Sequence, residues 1–178
     1  MTIAIEDIYE FHRVRTACHI ATLNWFAGLL GMQFPEHDND KNIEPMRTGY
    51  AYKNYASYHH GYYLPENYDE LFNVACSTHH KHATHHVEFY GNDVSKIPDI
   101  VLAEMLCDWA SANFEQRFVL CDYKFNTVWD WFVASMADMN WTPIQVKKIR
   151  DMAEFLDGHI DKDAVLEIWE TVLTSSEL

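Results

Sequence analysis

The sequence predicts a single domain built entirely from α-helices. Apolar residues recur with helical spacing along most of the chain, while strand signals are weak. The chain has 178 residues, which is long enough for one domain with a substantial core. Its 48% hydrophobic and 15% aromatic content is typical of a folded chain. No internal repeat or low-complexity segment divides it, so we expect one helical bundle over residues 1–178.

The first predicted helix runs from about Ile5 to Leu30, and Gly31 supplies a stop for it. Its apolar positions are spaced by three, four or multiples of these: Ile8, Phe11, Val14, Cys18, Trp25 and Leu29. A long loop is expected from Gln33 to Pro65, a stretch rich in Asn, Asp, Pro, Gly and Tyr. We expect one short helix within it, through Tyr50–Tyr58.

Five further helices are predicted after this loop. The first of them starts near Pro65–Glu70 and runs into a histidine cluster. The other four span about Pro98–Phe114, Asn126–Met139, Thr142–Gly158 and Asp161–Leu173. Thr142, Pro143 and Gln145 read as an N-cap, an N1 proline and a capping-box partner. The last helix is expected to be exposed.

The net charge is −14, from 13 basic and 27 acidic residues. Gripping a phosphate backbone needs clustered Lys and Arg, so nucleic acid is not an expected partner. No run of about 18 apolar residues could span a membrane, and the acidic start MTIAIEDIYE lacks the basic region of a signal peptide. The four scattered cysteines form no CxxC pair, which indicates reduced, mostly buried thiols and a cytoplasmic protein.

Histidine is over-represented in one region of the chain. Seven of the eleven histidines fall within 28 residues: His59, His60, His79, His80, His82, His85 and His86. The stretch STHHKHATHHVEFY at 77–90 contains two HH pairs. If the helix breaks near Ala83, these pairs come from two adjoining segments and can face a common point. His59, His60 and His82 are expected to be bystanders.

Two other segments carry residues that could join such a cluster. His12 and His19 are seven residues apart and share one face of the first helix, so either could contribute. The stretch HDNDK at 37–41 is either a plain polar turn or a pair of adjacent ligands, His37 and Asp38.

Glu104 and Asp108 lie four residues apart on an otherwise apolar helix. Burying two carboxylates is costly without a partner. A divalent cation is the strongest such partner, and a set of imidazoles and carboxylates suits Zn, Fe, Mn or Co.

The ordered string His19, His37–Asp38, two His pairs and Asp108 resembles the HD-domain superfamily of metal-dependent phosphohydrolases. That superfamily has the pattern H…HD…(H…H)…D on a helical bundle, and HDNDK is similar to its HDxxK form. The resemblance implies an HD-type bundle in which His19, His37, Asp38 and Asp108 hold a metal ion.

A closer resemblance is to a family of small phage and bacterial proteins that has no settled activity. Its motifs HIxxV, HDxSK, HHxxxNxHHxEx and EMxCDW correspond to HIATL at 19–23, HDNDK at 37–41, HHKHATHHVEFY at 79–90 and EMLCDW at 104–109. This motif-bearing core covers about residues 13–114, with the C-terminal helices at about 126–174 outside it. Asp40 replaces the family's Ser and the Asn before the second HH is absent, so the matching of individual histidines stays open.

These resemblances imply a site with one or two divalent ions (Mn, Fe, Co, Zn or Mg) in a bacterial or phage-infected cytoplasm. The expected metal ligands are His19, His37, Asp38, His79, His80, His85 and Asp108. The expected catalytic residues are Lys41 as a phosphate contact, His86, and Glu88 as a proton donor. Glu88 and Glu104 are also candidates for orienting histidines.

The function expected from this site is hydrolysis of a nucleotide or related small phosphate ester by a metal-activated water. Two alternatives remain open at this point. One is a di-iron oxygenase of the HD type that cleaves C–C or C–P bonds. The other is a non-catalytic protein that binds metal or nucleotide, or a host protein. The sequence also leaves homo-oligomerisation open.

Overall fold

The computed structural model describes residues 3–175, and within that range it is an all-α bundle without strands. The predicted fold class is therefore confirmed. Seven α-helices appear among these residues: α1 (Ile5–Leu29), α2 (Met46–Tyr58), α3 (Tyr68–His82), α4 (Asp99–Phe114), α5 (Val128–Ser135), α6 (Pro143–Gly158) and α7 (Lys162–Ser175). Short 3₁₀ turns at Asn39–Asn42, Val87–Tyr90 and Val94–Lys96 connect some of them.

Helix α4 lies at the centre of the main core and packs against α1, α5 and α6. Ten of its side chains are buried, because its sequence is apolar on nearly all sides. One further turn, Glu115–Val119, continues α4 as a π-helix. Such turns often occur at functional sites. Here the turn places Glu115 in a buried position, facing α1.

Helices α2 and α3 form a closely packed pair on the other side of α1. Gly49 makes this approach possible. A Cβ atom at this position would lie 2.6 Å from the carbonyl oxygen of Leu71 and 2.7 Å from the Cβ of Ala75. The close contact fixes the position of α3, whose C-terminal end carries His79 and His80.

Several predicted boundaries are confirmed and others are wrong. Helix α6 starts with the expected capping box at Thr142 and Gln145, and α3 ends at His82, where Ala83 turns to an extended conformation. Helix α2 begins at Met46 rather than at Tyr50, and α5 ends at Ser135 rather than near Met139.

Helix α7 was expected to be exposed, but one of its faces is buried. Val165 and Trp169 pack into the main core, and the Trp169 indole donates a 2.7 Å hydrogen bond to Thr22 of α1. This contact joins residues 147 positions apart, so helical periodicity alone could not reveal it.

Two further expectations concern the whole chain. Across residues 3–175 no helix has both the length and the apolarity needed to cross a membrane. All four cysteines are free thiols. Cys18 and Cys107 are buried, Cys76 is partly buried, and Cys121 is exposed.

Candidate metal centre

Asp38 lies at the middle of the candidate site. It follows the turn after α1 and has a left-handed backbone conformation with φ of 58°. A residue other than glycine adopts this conformation infrequently, and such residues concentrate at functional sites. The side chain is almost fully buried, with 3% exposed. The HDNDK segment is therefore a turn that also directs a carboxylate into the protein.

Four predicted ligands from three segments converge around one point. His19 Nε2 lies 3.0 Å from Asp108 Oδ1 and 3.6 Å from Asp38 Oδ2. His37 Nε2 lies 3.5 Å from Asp108 Oδ1 and 3.6 Å from Asp38 Oδ1. Ligands about 2.1 Å from a tetrahedral or octahedral ion are about 3.0–3.5 Å apart. The observed spacing therefore fits an ion-sized gap.

Three histidines from the second half of the motif form a neighbouring group. His79 Nε2 and His85 Nε2 lie 3.2 and 3.5 Å from Asp38 Oδ1. Nitrogens of His79, His85 and His86 come within 4.8 Å of one another. The break at Ala83 makes this possible, because it turns the second HH pair back toward the end of α3. Asp38 therefore contacts both groups.

Acidic and hydroxyl side chains orient the imidazoles. His37 Nδ1 donates to Glu104 at 3.0 Å, and His79 Nδ1 donates to Asp40 at 2.8 Å. Ser111 Oγ donates to the carbonyl oxygen of His19 and lies 3.0 Å from its Nδ1. These contacts turn the Nε2 atoms toward the centre, an arrangement that is common for metal-binding histidines.

The role of Glu104 as an orienting acid was expected from the sequence, while Asp40 and Ser111 were missed. Asp40 stands where the resembling family has Ser. In the sequence, Asp40 is marked only by its position two or three residues after the candidate ligands His37 and Asp38. That position does not reveal its contact with His79 on another helix.

Within residues 3–175, five buried side-chain atoms of the centre form no hydrogen bond: Asp38 Oδ1 and the Nε2 atoms of His37, His79, His85 and His86. Buried polar atoms are rarely left without a partner, because losing their contact with water is costly. All five are atom types that bind divalent metals. The donor set therefore fits one or two metal ions.

The electrostatics of the centre agree with this fit. Burial disfavours ionised Asp38, but Lys41 and His37 outweigh burial and hold its pKa well below the usual range. Burial also disfavours a charged His37, yet Asp38, Asp108 and Glu104 raise its pKa to about 10. The acids thus favour a positive charge at the imidazole position, which a metal ion can supply in place of a proton.

A cavity of about 430 Å³ opens on this centre from the side of α1, α2 and α3. Its wall includes His19, Asp108, His80 and His86 from the site. Three cationic side chains, Arg15, Lys41 and Lys53, also line it. The aromatic side chains in its wall are Tyr50, Tyr58, Phe72, Trp109 and Trp131. In the segment VWDWF at 128–132, Val128 and Phe132 are buried in the core, whereas Trp131 lines the cavity.

A second cavity, of about 510 Å³, reaches His37, Asp38 and His85. Its wall also carries the acidic side chains Glu36, Asp40 and Glu104, together with His82. The 430 Å³ cavity thus carries three cationic side chains together with the acids Asp108 and Glu115, whereas the charged side chains that line the 510 Å³ cavity are carboxylates.

His80, an expected ligand, lies outside the group formed by His79, His85 and His86, but with His86 and Glu88 it forms another group that could hold a metal ion. Both ring nitrogens of His80 face protein atoms, since Nδ1 lies 3.0 Å from Glu88 and Nε2 lies 3.5 Å from Cys76 Sγ. The His80 and His86 rings stack, with centroids 4.0 Å apart.

The other two residues expected to be catalytic have clear positions. Lys41 lines the 430 Å³ cavity, and its ammonium lies 2.5 Å from Asp38 Oδ2. Glu88 lines neither cavity of the centre and contacts it through His80.

His12, the alternative to His19, has a structural role. Its Nε2 donates to the carbonyl oxygen of Lys41 at 3.0 Å, and its Nδ1 accepts from Asn54 at 2.8 Å. Burial lowers its pKa to about 4, so the ring is neutral at physiological pH. His12 thereby holds the HDNDK turn against α1. Among residues 3–175, the groups able to hold a metal include none of His12, His59, His60 and His82.

Fold and site together define an all-α protein with a buried cluster of His and Asp side chains that could hold metal ions. Residues 9–161 match the model of a family of unknown function, DUF5662, and the chain belongs to this family. No curated protein and no solved structure matches the chain. The family match carries no activity, so the resemblance to the HD-domain superfamily stays a prediction.

Proposed function

We propose that the protein is a divalent-metal-dependent phosphohydrolase that acts on a nucleotide or related phosphate ester. One observation carries the proposal: the buried ligand atoms around Asp38 lie beside His19, His86 and Asp108, and these three residues line a cavity that also carries three cationic side chains. The ligand atoms are of types that bind a divalent cation, and the cationic side chains favour an anionic substrate.

The residues divide into two sets around Asp38. His19, His37, Asp38 and Asp108 would hold one ion. His79, His85 and His86 would hold a second, with Asp38 Oδ1 facing both sets. A bound divalent ion supplies a water with a pKa near 7 and a positive charge for the phosphate.

Lys41 would act between Asp38 and the substrate. One of its three N–H groups is used by Asp38, and the remaining two can donate to a phosphate oxygen in the cavity. The π-system of Tyr50, 4.9 Å from the ammonium, helps to fix the side chain.

We assign proton transfer to the leaving group to His80 Nε2, which would exchange its 3.5 Å contact with Cys76 Sγ for the leaving oxygen. His80 lines the cavity, whereas Glu88 binds its Nδ1 from behind. Glu88 would therefore act through His80, by orienting the ring, rather than as the proton donor itself.

A di-iron oxygenase is the second candidate function. The observation in its favour is the second set, which contains three imidazoles, because imidazole-rich coordination suits iron better than magnesium. Bound iron with an EPR signal, together with O₂ consumption, would distinguish an oxygenase from a hydrolase.

The test of the proposed function is turnover by metal-loaded protein. Nucleotides and related phosphate esters are assayed with Mn, Co, Mg and Fe, and release of inorganic phosphate is measured. We expect phosphate release by the wild-type protein and its loss in His37→Ala and in Asp38→Asn. Asn is chosen at position 38 because its side chain tolerates the left-handed backbone conformation there.

His59→Ala is the matched control, because His59 is an exposed histidine outside the site. Circular dichroism establishes that each variant is folded. Full activity in His37→Ala would overturn the proposal, as would the absence of turnover in folded protein that contains its metal.

A further inference from the structure

The cavity beside the candidate metal centre has one wall on which two packed aromatic rings lie between two lysine side chains. The Lys41 ammonium lies 4.9 Å from the centroid of the Tyr50 ring. Tyr50 packs edge-on against Phe72, with ring centroids 5.7 Å apart. The Lys53 ammonium lies 4.8 Å from the Phe72 centroid. The wall thus holds two ammonium groups over a pair of packed rings, one near the metal centre and one further from it.

The three cationic side chains of the cavity differ in whether a carboxylate neutralises their charge. Arg15 forms a two-point ion pair with buried Glu115, and Lys41 binds Asp38. Lys53 takes part in none of the ion pairs found within residues 3–175. Its position is set by an aromatic ring rather than by a carboxylate, so its donors are free.

An uncompensated ammonium at this place is notable in a chain with a net charge of −14. Burial and the neighbouring Arg15 and Lys41 charges lower the pKa of Lys53. The protein thus holds three cations near one another although they repel. An anion bound among them would relieve that repulsion.

We propose that Lys53 binds the phosphate of a substrate with a single phosphate group, and that Phe72 positions Lys53 for this contact. The inference rests on the proposed function, because it assumes that the cavity takes a phosphate ester. Within the part of the chain that the structure describes, Lys53 is the one cation of the three without a carboxylate partner, so the uncompensated charge of the wall matches one phosphate group better than a di- or triphosphate chain.

The size of the cavity supports a compact substrate. A volume of about 430 Å³ is toward the lower end of the range of about 300–1,000 Å³ for small-molecule sites. Trp109 and Trp131 line the same cavity and offer ring faces to the organic part of such a molecule. A mononucleotide has the required combination of one phosphate and one aromatic ring.

The first measurement is binding of inorganic phosphate to metal-loaded protein by calorimetry. We expect Lys53→Met to weaken phosphate binding about 10- to 100-fold while metal affinity is unchanged. Lys53 lines the cavity and is not among the buried core residues, so this variant is expected to fold normally. Lys147→Met is the matched control. It removes the same charge from an exposed lysine that pairs only with Asp151, and it should leave phosphate affinity unchanged.

The positioning role of Phe72 has its own readout. Phe72→Leu should weaken phosphate binding about two- to fivefold, and Phe72→Tyr, which keeps the ring, should restore wild-type affinity. Inorganic triphosphate serves as the second probe. Lys53→Met should weaken triphosphate binding by no more than it weakens orthophosphate binding.

The outcomes separate this inference from the proposed function. Phosphate binding that depends on Lys53 in a protein without turnover supports the inference and contradicts the hydrolase. Turnover with unchanged KM in Lys53→Met supports the hydrolase and overturns the inference. Equal phosphate affinity of Lys53→Met and wild type would also overturn it.

Discussion

At the scale of single residues, the candidate centre depends on carboxylates that do not themselves need to touch a metal. Glu104 accepts a hydrogen bond from His37 and lies 3.6 Å from Nδ1 of His85. It therefore contacts one histidine from each of the two ligand sets. Asp40 accepts a hydrogen bond from His79 of the second set. Such contacts fix the ring orientation and leave Nε2 as the ligating atom.

Glu104→Gln should weaken metal binding about 10- to 100-fold, because a neutral amide orients His37 and His85 less firmly than a carboxylate. Glu36→Gln is the control. It removes the same charge beside the 510 Å³ cavity, but Glu36 contacts Asn39 and no histidine. Calorimetric titration with Mn²⁺ or Zn²⁺ measures both affinities. A similar loss in both variants would mean that Glu104 acts only through its charge.

Sequence reasoning identified the centre itself better than the roles within it. His19, His37, Asp38 and Asp108 are brought together as the motif order indicated. The break of α3 at Ala83 was predicted, but which of the four histidines on either side of it face Asp38 depends on the backbone direction after Ala83, which residue types alone do not set.

At the scale of helices, local signals predicted the elements whose ends are set locally. Helix α6 has its capping box, and α4 begins directly after Pro98. The start of α2 was missed because its N-cap residue, Pro45, has no side chain able to cap the helix. Its first turns are held instead by packing on α3 at Gly49, a contact that the sequence does not display.

Gly49→Ala is therefore expected to destabilise the protein by about 1–3 kcal/mol, since the new Cβ would meet the backbone of Leu71. Gly28→Ala is a matched control in α1, where a Cβ would meet nothing within 4 Å. It should stabilise by about 0.5–1 kcal/mol, as alanine does within a helix. Urea denaturation measures both changes. Equal effects at the two positions would contradict the close approach of α2 and α3.

The ion pair between Arg15 and Glu115 joins α1 to the π-helical turn after α4. Tyr58 of α2 donates a third hydrogen bond to the same carboxylate, at 2.6 Å. Arg15→Met leaves this buried charge without its cation and should cost about 3–5 kcal/mol. Arg15→Met/Glu115→Gln removes both charges and should recover much of the loss. Chemical denaturation of the two variants provides the comparison.

The same pair predicts a dependence of stability on pH. Burial opposes ionisation of Glu115, but Arg15 outweighs it and lowers the carboxyl pKa below its usual 4.5. A lowered folded-state pKa contributes stability above pH 4.5 that is lost as the pH falls through the folded-state value. The stability difference between wild type and Glu115→Gln should therefore shrink below pH 4.5. A difference that stays constant from pH 7 to pH 3 would contradict this assignment.

At the scale of the whole molecule, the charge distribution separates two approaches to one centre. The protein is acidic overall, and the 510 Å³ cavity shares this character through Glu36, Asp40 and Glu104. The cationic side chains beside the centre line the other cavity. A metal ion and an anionic substrate can therefore approach from differently charged sides.

The buried centre also links folding to metal. Asp38 contacts ligands from α1, α3 and the segment after α3, and Asp108 of α4 contacts His19 and His37, so an ion there would connect most of the motif-bearing core. Without an ion, five buried polar atoms lack a partner. An ion that binds only the folded state stabilises that state by about 2.7 kcal/mol when the free ion concentration is about 100 times the Kd.

For a protein of this size, that free energy corresponds to a rise in Tm of about 5–10 °C. We expect this rise when metal-free protein, prepared with a chelator, receives Mn²⁺ or Zn²⁺. The rise should be smaller with Mg²⁺ at equal concentration, because imidazole ligands suit magnesium poorly. Differential scanning calorimetry should show the full shift in His59→Ala and little or none in His37→Ala. Identical Tm values for wild-type protein with and without each metal would mean that the buried imidazoles and carboxylates satisfy one another, and the basis for a metal centre would be lost.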